Sequence, residues 1–164
     1  MRGFLRQTLV GWVCTGVMAW APLMAAGQGP LVPLADRARG AERVVVGHVE
    51  SVTPSWKTND FGDRLIVSSV HVTVEETLKG DVQPTLDIDV EGGTIGTLTL
   101  RVSDEQSFAP GERAVFFVKR SARGRLVPHL RGQGLLKLDG TNHVPGSSLT
   151  LDEIRRTVAP GRAR

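Results

Sequence analysis

From residue 43 onward, apolar and polar positions alternate with the two-residue period of half-buried strands. Residues 43–52 open with the β-branched run Val44-Val45-Val46. Residues 65–78 hold the longest alternation, with Ile66, Val70, Val72, Val74 and Leu78 on one face. Ser69, His71, Thr73, Glu75 and Thr77 share the other face, while Ser68 and Glu76 interrupt the apolar one. Lys79-Gly80-Asp81 then supplies turn chemistry. Leu86, Ile88 and Val90 alternate with Asp87 and Asp89, and Leu98, Leu100 and Val102 with Thr99 and Arg101. The segment from Arg113 to Arg120 (RAVFFVKR) reads as a strand covered on both faces, and shorter strands are expected at 126–130 and 135–139. Closely spaced turn signals make this an all-β pattern, a barrel or a sandwich.

Two short helices flank the strands. Residues 31–39 predict one, limited at its start by Pro33 and ended by Gly40. The second, over about 150–159, carries a capping box of Thr150 and Glu153, with Leu149 and Ile154 placed as a hydrophobic staple. Pro160-Gly161 ends it, and 160–164 reads as a disordered tail.

The first segment has a different character. Arg2 and Arg6 precede an apolar run from Leu9 to Ala26, and no charge occurs between Arg6 and Asp36. Small residues at Ala25, Ala26 and Gly27 complete the layout of a secretory signal peptide over 1–26. An uncleaved N-terminal membrane anchor is the alternative, because the run approaches the roughly 20 residues that span a bilayer. Pro22, just ahead of the small residues, favours cleavage. Processing implies a periplasmic or secreted protein with no stable membrane span. Residues 27–159 would then form a single domain, large enough to bury a core without disulfides.

Cleavage changes the composition. The two leader arginines depart and the net charge falls from +3 to about +1. Cys14, the only cysteine, leaves too, so the mature chain has no thiol for a disulfide, a zinc site or a nucleophile. With no Tyr, few aromatics and no clustered basic excess, nucleic acid is an unsuitable partner.

The candidate chemistry is thin. Asp87, Asp89 and Glu91 fit a solvated outer face better than a catalytic pair, which needs one carboxyl in an apolar setting. A turn about Thr94 would set Asp87 opposite Arg101 as a cross-strand ion pair. His129, Asp139 and His143 are the one set that a metal-dependent hydrolase could use, although their spacing matches no zinc pattern. Gly146-Ser147-Ser148 lacks the nucleophile elbow, and the Gly92-Gly93 pair opens no helix. Residues 119–125 form the densest basic cluster, at an expected hairpin tip. Trp56 and Phe61 stand in the polar stretch 53–64, expected as a loop, where they would either anchor a partner or fold back to plug the barrel end.

The succession Val44-Val45-Val46-Gly47-His48-Val49, a long alternating strand, Leu78-Lys79-Gly80, a glycine hairpin and Gly111-Glu112-Arg113-Ala114-Val115-Phe116-Phe117 resembles netrin-like and tissue-inhibitor-of-metalloproteinases domains. It is also similar to exported bacterial proteins that share this layout. The resemblance implies an antiparallel OB-like β-barrel; a Greek-key β-sandwich is the alternative that the strand pattern leaves open. The resemblance further implies a non-catalytic module without cofactors that binds a protein in the envelope or outside the cell, in a protease-associated setting. The inhibitors of that family use an N-terminal cysteine on the protease zinc, and the mature chain has none, so no functional residue carries over. A structural envelope component and the metal-dependent hydrolase remain the other readings.

Overall fold

The computed structural model describes residues 31–159; the expected signal peptide, Cys14 and the 160–164 tail lie outside them. The chain runs α1 (Leu34–Gly40), β1 (Arg43–Thr58), β2 (Arg64–Lys79), β3 (Thr85–Glu91), β4 (Gly93–Ile95) and β5 (Leu98–Leu100). β6 (Arg113–Arg120), β7 (Leu126–Pro128), a 3-10 turn (Arg131–Gly134), β8 (Leu135–Leu138) and α2 (Leu151–Val158) complete it. No helix among the described residues is long and apolar enough to cross a membrane.

β1, β2 and β3 form an antiparallel meander, and β6 pairs antiparallel with the other edge of β1. β7 pairs antiparallel with β6 and meets β3 in one parallel contact, Ile88 with Leu126. The sheet therefore returns on itself in the order β1-β2-β3-β7-β6-β1, a barrel-like arrangement, with β8 added alongside β6. Register shifts in the β1–β2 ladder, between Val44 and Val45, Val46 and Gly47, and Val49 and Ser51, add the twist such curvature needs.

The continuous apolar runs follow from two cores. Val45, Val49, Val70, Val72, Ile88 and Phe116 pack inside the curved sheet. Val44, Val46, Val115 and Phe117 point the other way, under Ala38 of α1 and Leu151, Ile154 and Val158 of α2. Adjacent residues of β1 and β6 thus feed opposite layers, which is why both read as apolar without alternation.

The polar exceptions on β2 also find uses. Ser68 is buried and its hydroxyl donates to Gly92 O at 2.7 Å. Glu76 accepts from Arg155 of α2, Nη2 to Oε2 at 2.7 Å. Leu78 packs with the outer core rather than with Val70 and Val72, because the register shifts change the face along the strand. Thr150 and Glu153 make both bonds of the capping box on α2.

Three expectations are corrected. Residues 53–58 are not loop: β1 continues through Trp56 to Thr58, paired with β2 from Ser69 to Arg64, and only 59–63 turn. The glycine hairpin turns at Gly96-Thr97, with Thr94 opposite Thr99, and forms its own two-stranded sheet. Asp87 therefore does not face Arg101; β3 pairs with β2, and Asp87 Oδ1 meets His71 Nδ1 at 2.7 Å.

Candidate binding face

Two turns interlock at one end of the curved sheet. In the β1–β2 turn, Asn59 Oδ1 accepts the backbone N–H groups of Phe61 at 3.0 Å and Asp63 at 2.9 Å. Asn59 N–H donates to Asp63 O at 2.9 Å, and Gly62 takes the positive φ of 95° that the reversal needs. The β6–β7 turn closes through Ser121 N–H to Arg125 O at 2.7 Å.

Three bonds join the turns. Ala122 N–H donates to Asp60 Oδ2 at 2.9 Å, Arg123 Nε to Asn59 O at 2.9 Å, and Arg125 Nη2 to Thr58 O at 2.6 Å. Much of the basic cluster expected at a solvated hairpin tip is thus engaged in holding its neighbour.

Beneath them lies Asp89. It is 9% exposed, not on a solvated face as its alternation with Ile88 and Val90 suggested. Lys57 Nζ and Ser69 Oγ donate to its Oδ1 at 2.6 and 3.0 Å. Arg125 Nη1 stands 3.1 Å from Oδ2, a close ion pair outside directed hydrogen-bond geometry. Asp89 points away from the inner core, but the interlocked turns cover it, and one carboxylate links β1, β2, β3 and the approach to β7. Such a buried charge survives only because cations and a hydroxyl surround it.

On this framework Phe61 is 86% exposed. It does not fold back over the end of the curved sheet. Trp56 is 44% exposed on β1, with the Arg64 guanidinium 5.5 Å from its ring centroid. Phe61 instead lines a cavity of about 330 Å³ with Val67, Val127, Leu130, Arg125 and Arg131. Leu130 and Arg131 hold left-handed backbone, with φ of 62° and 52°. Each costs on the order of 1–2 kcal/mol for a residue with a Cβ, and such strain concentrates where a surface has work to do.

Of the hydrolase candidates, Asp139 and His143 share one turn and His129 stands apart from them. His129 lies against Gly40, where an added Cβ would sit 2.3 Å from its Nε2. Its Nδ1 is buried without a partner, and burial, with Lys119 and Lys79, lowers its pKa. Asp139 closes a separate turn, accepting from His143 N–H and from the Thr141 N–H and hydroxyl, and these bonds lower its pKa. Among the described residues, no group of three His, Cys, Asp or Glu could hold a metal ion.

No protein-family model and no curated protein matches this chain. The functional reading therefore rests on this geometry. Sequence reasoning singled out Phe61, set Asp89 on a solvated face and did not mark Leu130 or Arg131. Nothing in a period-two pattern marks a residue whose environment is built by two distant turns.

Proposed function

We propose that this chain is an exported, non-catalytic binding module that seats a protein partner on the face around Phe61. One observation carries the reading: a large apolar side chain stands almost fully exposed on a turn held by hydrogen bonds at both ends. Ordering such an anchor costs little on binding, because its backbone is already fixed. Around it, Leu130 adds apolar surface, and Asp60, Glu91, Arg125 and Arg131 give a rim of mixed charge. That composition suits an apolar centre with a polar margin on a protein partner. It does not suit the single-sign field that a polyanion requires.

The OB-like architecture belongs to the same proposal. Its support is the return of the sheet from β3 through β7 and β6 to β1. OB barrels bind through the face of their second and third strands and the loops after the first and fourth. Counting β7 as the fifth strand of the ring, those loops are the β1–β2 and β6–β7 turns that interlock beside Phe61. The netrin-like resemblance fits this arrangement.

A photoreactive phenylalanine analogue at position 61 tests the reading. Irradiated in the native envelope fraction, it is expected to give a discrete protein adduct. The same analogue at Val82, an equally bare apolar residue at 84% exposure, is expected to give none. Equal labelling from both positions, or no adduct from Phe61 in a folded protein, would overturn it.

A further inference from the structure

Between β5 and β6 the chain forms a strap over 101–112 that carries no regular structure. It is pinned where β3 and β8 share no ladder. Gly132 N–H donates to Asp104 O at 2.9 Å, and Gln106 Nε2 donates to Leu135 O at 2.9 Å. Phe108 packs on Phe116 with ring centroids 5.6 Å apart.

On the side of the strap toward the β4–β5 hairpin lies a second cavity of about 560 Å³. That volume falls within the range of small-molecule sites, and barrel mouths are a common place for them. Val70, Val90, Leu100, Val102 and Phe108 give it apolar walls, and Glu91 and Glu105 bring carboxyl groups to them.

Glu105 is the unusual member. Its Oε2 is buried and has no hydrogen-bond partner. The nearby donors are occupied: Gln106 serves Leu135 O, and Arg131 Nη1 pairs with Asp104 Oδ1 at 3.1 Å while its Nη2 stands 3.9 Å from Glu91. A buried acceptor left without a donor costs about 1–3 kcal/mol, a cost that an incoming donor would relieve. Arg101 also lines the cavity, but it is exposed, where solvent and salt screen its charge.

We propose that this cavity binds a small organic cation, a primary amine on an apolar frame, with Glu105 as its counter-ion. The hydrocarbon would lie against the valine and phenylalanine walls, and the ammonium would pair with the Glu105 carboxylate once its side chain turns Oε2 toward the cavity. Glu91 adds a second carboxylate to the same wall and disfavours an anion. Burial, with repulsion from Asp104 and Glu91 outweighing attraction to Arg131, lifts the Glu105 carboxyl to about 7. An ammonium binds the ionised form, so occupancy releases the proton that Glu105 holds below that pH.

Octylammonium binding to the purified protein, measured calorimetrically at pH 6 and pH 8 beside octanol and octanoate, tests this. The amine stays protonated throughout, with a pKa close to the ~10.4 of lysine. Its affinity is expected to rise roughly tenfold from pH 6 to pH 8, following the ionised fraction of Glu105. Octanol is expected to bind more weakly and without pH dependence, and octanoate weakest of all. Glu105→Gln should remove the pH dependence and bring octylammonium down to the level of octanol. Leu100→Trp, at the edge of the hairpin, should fill the cavity and abolish binding without touching the carboxyl. Octanol binding as tightly as octylammonium would overturn the proposal. So would pH dependence that persists in E105Q, or full binding in L100W. Glu91 and Glu105 also line the cavity beside Phe61, whereas Leu100 lines only this one, so loss of octylammonium binding in L100W with the Phe61 adduct intact tells the two proposals apart.

Discussion

Replacing Asp89 by Asn removes one charge from the centre of the interlocked turns while keeping the shape of the side chain. Lys57 and Arg125 then lose their shared counter-ion, and both are largely enclosed, with side chains 25% and 29% exposed. Deleting one partner of a fully buried pair costs about 3–5 kcal/mol, and an exposed pair is worth about 0–1. The partial solvent access of the two cations places D89N between these limits, at about 2 kcal/mol. An unfolding entropy of about 2.1 cal/mol/K per residue turns that into a fall in Tm of roughly 7 °C for a domain of this size. Thermal melts followed by circular dichroism give the number, and a double-mutant cycle with Lys57→Met isolates the pair. The loss should persist in 0.5 M salt, because an enclosed pair is screened much less than a surface one. A fall below about 2 °C, or strict additivity of D89N and K57M, would refute the view that Asp89 ties the strands together.

Three further outcomes are expected. Thr150→Ala removes the acceptor for Glu153 N–H at the start of α2 and should cost about 1 kcal/mol, read by urea titration. Glu105 is a carboxyl whose folded pKa is raised from the ordinary 4.5 to about 7, so the native state holds a proton that the unfolded chain gives up between those values. Stability should therefore fall as pH rises through that window, by about 1–2 kcal/mol once its partial solvent access is discounted, and E105Q should flatten the profile. Gly132→Ala places a Cβ 2.1 Å from Asp104 O and should unseat the strap, seen as faster hydrogen exchange over 101–112 than in the parent.

Much of the sheet was legible in the sequence because side-chain alternation is a local property. The bounds of β2, β3 and β6 lie close to those expected from period two, and the box on α2 is written in two residues. The far half of β1 was not legible. Residues 53–58 pair with β2 beyond the cores, so selection for an apolar face is relaxed there, and Pro54 and Lys57 look like loop. The glycine hairpin was placed too early because Gly92, Gly93 and Gly96 all accept positive φ, and only the pairing of Thr94 with Thr99 fixes the centre. Phe61 drew notice as an aromatic in a polar stretch. Asp89 reads as an outer-face carboxylate, because its cations come from positions 57 and 125, and the sequence carries no mark of that meeting. The strap escaped for a simpler reason: residues 103–112 have no period at all, and their positions are set by the carbonyl groups of Gly132 and Leu135.

The two-sided role of β6 also sets the order in which the molecule can assemble. β1, β2 and β3 are neighbours in sequence and can zip together as soon as they exist. The ring cannot close until Val118 reaches Arg43, about 75 positions away, a loop-closure cost near 4 kcal/mol before any contact repays it. Chains dominated by such distant pairings fold in milliseconds to seconds rather than microseconds. During that wait the bare edge of Val44, Val45 and Val46 is open to a neighbouring chain. Arrival of a single eight-residue strand removes the hazard, because β6 covers that edge and brings Phe116 and Phe117 to opposite cores in one step.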